Sequence, residues 1–131
     1  MKYLLDTNVL VAMFRKQHNV REQILSKGIR NCAVSIVTIA ELKVGAYKTN
    51  DYRQWKEVFE TQNSFATIPI DHDTFDKYAQ FRALLEKQGK KIDSLDLLIA
   101  CSAIQNNMIV ISHNKEHFDR IPGIQLEDWE S

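Results

Sequence analysis

Residues 3–8 read Tyr3-Leu4-Leu5-Asp6-Thr7-Asn8. Three consecutive apolar side chains, with no polar residue alternating between them, predict a strand covered on both faces, as in parallel sheets. The run stops at Asp6, and Val9 to Phe14 follows at once with helical character. Outward from this start the same pattern recurs. Asn31 to Ser35, containing Cys32-Ala33-Val34, predicts a second strand, and Phe65 to Ile70 a third. Met108-Ile109-Val110-Ile111 is the most continuously apolar, and Ile124-Gln125-Leu126 is a short fifth. Helix-period segments fill the intervals. Val20, Ile24 and Leu25 mark a helix that Gly28 stops. Ile36 to Tyr47, with Gly45 near its end, is rich in apolar residues, and Tyr52, Trp55, Val58 and Phe59 recur at helical spacing. Phe75, Tyr78, Ala79, Phe81 and Leu85 do so before Gly89, and Leu95 to Ile104 is apolar on most of its surface. Strand alternating with helix predicts an α/β fold of three layers, α/β/α, around a mostly parallel sheet of about five strands.

The 131 residues suit a single domain over 1–131. A hydrophobic fraction of 44% supplies a core, and 26% charged residues suit an ordinary solvated surface. Lys+Arg and Asp+Glu each number 17, so the net charge is zero. That balance argues against holding polyanions through a global basic field and leaves a local patch open. Four Gly and two Pro exclude collagen-like and low-complexity chains. No apolar run approaches the ~20 residues that span a bilayer. An Asp at position 6 does not belong in a secretory h-region, so a cytoplasmic location is expected. Cys32 and Cys101 sit in apolar settings and are expected to be small buried residues rather than a disulfide.

The candidate chemistry lies in acids at element ends. Ligands of open parallel sheets bind outside the carboxyl ends of the strands. That rule points to Asp6, which also suits a helix N-cap. Glu41 interrupts Val37, Ile39, Ala40, Leu42 and Val44, an otherwise apolar stretch. A carboxylate buried there must be paired, hydrogen-bonded or metal-bound, unless it lies on an exposed stripe beside Thr38. Asp96 stands among apolar neighbours at a helix start, and Asp93 suits a cap with Ser94. Ser112-His113-Asn114 follows the strongest strand, where Asn114 either supplies an amide oxygen or orients a water at a site, or is a turn residue. His113 and His117 have i,i+4 spacing, but a zinc-protease helix needs Glu after its first His, where Asn114 stands. Three carboxylates and an amide converging from four segments would suit Mg²⁺ or Mn²⁺, ions that favour oxygen donors.

These residues, taken in order, carry a resemblance. Tyr3 to Asn8, then Val34 to Leu42 with Gly45, then Asp96-Leu97-Leu98-Ile99-Ala100, then Val110 to Asn114 with Phe118, Ile121-Pro122-Gly123-Ile124 and Trp129 resemble the motifs of PIN-domain ribonucleases. The match is to the VapC toxins of toxin–antitoxin modules. The resemblance implies a metal-dependent endoribonuclease acting on a structured RNA such as tRNA or rRNA. It implies that Asp6, Glu41 and Asp96 hold Mg²⁺ or Mn²⁺. Asn114 falls where many relatives have Asp and some Asn, and His117 where several have Glu. Both departures lower the site's negative charge and argue against a tightly held second metal. Thr7, Asn8 and Ser112 suit roles in orienting carboxylates or substrate, and Asp93 is an added contact or only a cap. A VapB-type antitoxin, the RNA substrate and a second copy of the chain are the implied partners. Lys87, Lys90 and Lys91 form the densest basic cluster, either a phosphate contact or a solvated turn. The Tyr52, Trp55, Val58, Phe59 stripe is either core or a partner face.

Two other folds open on a strand-terminal Asp. A haloacid-dehalogenase-like phosphatase needs a second Asp where this chain has Asn8, and a receiver domain needs paired early acids that are missing. The rival reading from another class is a catalytically weak PIN fold that binds RNA or protein.

Overall fold

The computed structural model describes residues 1–130, so the last residue of the expected domain, Ser131, lies outside the described residues. Five strands form one sheet in the order β3-β2-β1-β4-β5, with β1 Tyr3–Leu5, β2 Cys32–Ser35, β3 Ala66–Ile68, β4 Ile109–Ile111 and β5 Leu126–Glu127. Every pairing is parallel, so the sheet is wholly rather than mostly parallel. Seven helices flank it: α1 Thr7–Phe14, α2 Val20–Lys27, α3 Ile36–Thr49, α4 Tyr52–Ser64, α5 His72–Lys87, α6 Ser94–Gln105 and α7 Lys115–Phe118. The predicted elements are present, with ends shifted by a few residues. The short α7 and a 3₁₀ turn at Ile29–Asn31 are additions that short polar stretches do not announce.

The three layers follow from the two-residue period of the strands. Leu4, Ala33 and Val110 face one way and pack with Leu97, Ala100, Leu85 and Phe118 of α6, α5 and α7. Tyr3, Leu5, Val34 and Ile111 face the other way and pack with Val9, Leu10, Val20 and Ile24 of α1 and α2. All of these residues are buried. Cys32 and Cys101 are buried free thiols in separate layers.

The order of strands fixes where a ligand can sit. From central β1 the chain adds β2 and β3 on one side and β4 and β5 on the other. The order therefore reverses between β1 and β4, and a crevice opens there outside their carboxyl ends. Asp6 leaves β1 and Ser112 leaves β4 at that crevice, where the Asp6 N–H donates to the Ile111 carbonyl at 2.9 Å. Local signals then aim the helices. Gly28, at φ 95°, closes α2 as expected. Between α3 and α4 only Asn50 and Asp51 intervene. Asn50 takes the left-handed conformation at φ 51°, and Asp51 caps α4 by accepting the Arg53 N–H at 2.9 Å.

α3 departs from the expectation of a largely buried helix. Val37, Thr38, Ile39 and Ala46 are buried, while Ile36, Ala40 and Val44 are exposed and Glu41 is half-buried. The short apolar side chains along this helix exceed the one face that the sheet can cover.

Candidate functional site

Asp6 is the buried carboxylate of the crevice, with 3% of its surface exposed, beside the fully buried Ser112. Its Oδ1 accepts the Thr7 N–H at 2.8 Å, which starts α1. Its Oδ2 accepts the Ser112 hydroxyl at 3.0 Å, across 106 residues of chain. The same Ser112 oxygen accepts the Asn114 N–H at 2.9 Å, so the turn after β4 is tied to the carboxylate at the end of β1. Asp6 is therefore both a helix cap and a crevice carboxylate. Burial pushes its pKa up to about 6, the Ser112 and Thr7 hydrogen bonds oppose this, and the charges of Asp96 and Glu41 add to it.

Glu41 reaches the crevice from the middle of α3. Its Oε1 accepts the Thr7 hydroxyl at 2.7 Å, and Thr7 Oγ1 lies 3.0 Å from that of buried Thr38. Thr7 has one hydroxyl proton and gives it to Glu41, so Thr38 donates to Thr7. Partial burial raises the Glu41 carboxyl above its ordinary range, Thr7 opposes this, and the charges of Asp96 and Asp93 reinforce it.

Asp96 lies in the first turn of α6. Burial and then the charge of Asp93 raise its carboxyl, against the pull of His117, whose Nδ1 is 3.6 Å from Asp96 Oδ2. Asp93 is the N-cap of α6 and accepts the Leu95 and Asp96 N–H groups at 3.1 and 3.3 Å. His113 turns elsewhere, with Nδ1 3.0 Å from Asp128 Oδ2. The two histidines thus serve different carboxylates and do not form a common zinc site. Asn8 and Asn114 border a recess with Asp6, Ser112 and His113.

Asp6, Glu41 and Asp96 come from three segments and repel one another electrostatically. Among the groups that raise or lower their carboxyls, His117 beside Asp96 is the one basic side chain. Such an oxygen-rich cluster with uncompensated negative charge suits Mg²⁺ or Mn²⁺ by donor type. Among the described residues, however, no three His, Cys, Asp or Glu side chains already enclose a common ion position. The acids are electrostatic neighbours, and a cation would have to draw them inward.

Lys90 and Lys91 border a separate surface cavity with Arg82 and Gly89, apart from the acids. The contact of His117 with Asp96 rests on α7, a four-residue helix with no periodicity to read. Arg15, Arg53, Gln54 and Glu57 surround a cavity beside Glu41 and carry no motif that sequence reading singled out.

A PIN-domain family model matches residues 3–124. The chain is 30% identical to ribonuclease VapC1 of Haemophilus influenzae over 132 residues, covering 98% of each. It is 33% identical to the tRNA(fMet)-specific endonuclease VapC of Salmonella typhimurium, again with 98% of each covered. Its fold is similar to that in the crystal structure of DNA-bound VapBC from Salmonella typhimurium, with a TM-score of 0.88, 29% identity and 98% of each chain covered.

Proposed function

The chain belongs to the PIN-domain family, among its VapC ribonucleases, and from that premise we propose a divalent-metal-dependent endoribonuclease, the toxin of a toxin–antitoxin pair, acting on a structured RNA. Among structured RNAs, tRNA is favoured by the similarity to a tRNA(fMet)-specific relative. The observation that carries this reading is the mutual electrostatic strain of Asp6, Glu41 and Asp96 at the crevice between β1 and β4.

Asp6, Glu41 and Asp96 are the residues that would hold Mg²⁺ or Mn²⁺, which when bound supplies Lewis acidity and neutralises charge developing on a phosphodiester. The chain's own groups do the rest. Ser112 holds the Asp6 carboxylate by a hydrogen bond and so favours its charged, ligating form. The Thr38–Thr7 pair does the same for Glu41. His117 restrains Asp96. Asn114, placed by its N–H on Ser112, offers an amide to substrate at the rim of the crevice, and Asn8 stands beside it.

For partners we infer a VapB-type antitoxin and a second copy of this chain, within a single domain working in the cytoplasm. Exposed aromatic surface on α3 and α4 supports protein contacts. Tyr47 packs edge-on to Trp55 at 4.7 Å, Trp55 stacks toward Phe59 at 6.1 Å, and Tyr52 is 81% exposed. Of the Tyr52, Trp55, Val58, Phe59 stripe only Val58 is fully in the core. No helix among the described residues is long and apolar enough to cross a membrane. The rival reading, a PIN fold that binds without cutting, draws its support from the open spacing of the acids.

Cleavage of tRNA by the purified, antitoxin-free chain, titrated with Mg²⁺, tests the proposal on wild type and Asp96→Asn. Wild type should cut only with the metal, and Asp96→Asn should lose most of that cleavage while melting no lower than wild type in chelator. RNA binding without cleavage at any Mg²⁺ or Mn²⁺ concentration would favour the binding module instead.

A further inference from the structure

A cavity of about 390 Å³ lies between α1, α3 and α4, and Thr7 and Glu41 stand in its wall. These two are the hydrogen-bonded pair described above, so one of the three acids, Glu41, forms part of the cavity wall. Its size lies in the range of small-ligand sites. It combines three kinds of chemistry that a nucleotide needs together. Phe14 and Leu42 give it half-buried apolar surface. Arg15 and Arg53 bring two guanidinium groups to its border. Arg15 makes no ion pair among the described residues, and Arg53, its side chain 80% exposed, has Asp51 at 3.9 Å. Arg15 therefore has no ion pair to break in taking a phosphate oxygen, and Arg53 has only a long, solvent-exposed one.

Gln54 and Glu57 supply hydrogen-bonding groups within the cavity, and both are half-buried. Burial raises the Glu57 carboxyl, and the charges of Arg53 and Arg15 act against this, so Glu57 and both arginines share one local field. The Gln54 amide lies close over α3 at Gly45, which carries no side chain. A Cβ there would come within 2.9 Å of Gln54 Oε1. A glycine in mid-helix is unfavourable relative to Ala, and here it leaves the amide lying against α3.

We propose that this cavity is a nucleotide subsite, receiving the RNA residue next to the scissile phosphate, with its base against Phe14 and Leu42 before Gln54 and Glu57, and its phosphate at Arg15 and Arg53. Single-stranded RNA is read in this way, by unstacked bases held on apolar or aromatic side chains and hydrogen-bonded at their edges. The proposal rests on the ribonuclease reading, because the acids are what fix the scissile phosphate beside the cavity.

The test pairs two measurements on wild type, Arg53→Ala, Gln54→Ala and Gly45→Ala. One is the affinity for a labelled, randomised single-stranded RNA in chelator across a salt series. The other is the sequence bias around cut sites in the same RNA with Mg²⁺. Arg53→Ala should weaken binding about equally for all sequences and flatten the salt dependence by about 0.7 in log–log slope. Gln54→Ala should relax the bias at one position beside the cut, and Gly45→Ala should reproduce that relaxation by displacing Gln54. A helix merely destabilised would change melting temperature without moving either readout. If wild type cuts and all three variants keep its bias, affinity and salt slope, the subsite is overturned while the ribonuclease reading stands. If wild type binds but never cuts, the ribonuclease reading fails and the cleavage subsite with it, and a lowered salt slope in Arg53→Ala would then leave the cavity as an RNA-binding pocket alone. Unchanged RNA binding with weakened binding of a VapB-type antitoxin would overturn the subsite and assign the cavity to the protein partner.

Discussion

Asp6 and Asp93 look alike in the chain: each ends a loop or strand, caps a helix and precedes an apolar run. Their surroundings separate them. Asp93 spends its carboxylate on two N–H groups of its own helix, at 3.1 and 3.3 Å, and remains exposed. Asp6 gives one oxygen to its own helix and the other to Ser112, and is almost wholly withdrawn from solvent. Water solvates the first charge and not the second, so the same residue type in the same local role is a cap in one place and a strained acid in the other. An Asp at a helix start thus becomes a strained acid only where distant segments bury it.

The largest expected effect is on chemistry. Asp6→Asn keeps the side chain's size but removes the charge and turns one of the two acceptor oxygens, bound by Thr7 and Ser112, into an NH₂ donor. It should cut metal-dependent RNA cleavage by on the order of 100-fold or more. Asp93→Asn should leave cleavage within about a few-fold. Rates measured for the two variants side by side would break the comparison if they fell equally.

The next effect is on stability against pH in chelator. Folded Asp6 titrates at about 6 against 3.8 for the ordinary carboxyl, so between these values the folded state holds a proton that the unfolded state has released. The stability this group contributes is complete below about pH 3.8 and is lost as pH rises through about 6, a change of about 3 kcal/mol. The metal-free protein should therefore lose melting temperature from pH 5 to 7. Asp6→Asn should lack that component of the slope, and millimolar Mg²⁺ should restore stability at pH 7 by mass action. Parallel melting curves of wild type and variant across this range would remove the buried-charge account.

The smallest effect belongs to the cap. Asp93→Asn or Asp93→Ser replaces one good N-cap with another and should shift stability by no more than about 0.5 kcal/mol, whereas Asp93→Ala should cost about 1 kcal/mol. Urea unfolding resolves these values, and a loss of several kcal/mol in Asp93→Ser would show that Asp93 does more than cap.

The sequence by itself determined what a few neighbouring residues can carry. Unbroken apolar runs gave the parallel strands, helical periods gave α2 to α6 to within a few residues, and Gly28 marked a helix end through its own backbone freedom. Its motif order pointed to the PIN family and to Asp6, Glu41 and Asp96 as the residues to watch. Tertiary structure alone decided which of those residues come together. It set the strand order that opens the crevice between β1 and β4, joined Ser112 to Asp6 and aimed Thr7 at Glu41. It left Ala40 and Val44 of α3 in solvent and gathered Arg15, Arg53 and Gln54 around one cavity. The division has a physical cause. Backbone propensity and hydrophobic period depend on residues a few positions apart, but the cost of a charge depends on solvent and other charges within a few ångströms, and those arrive from anywhere in the chain.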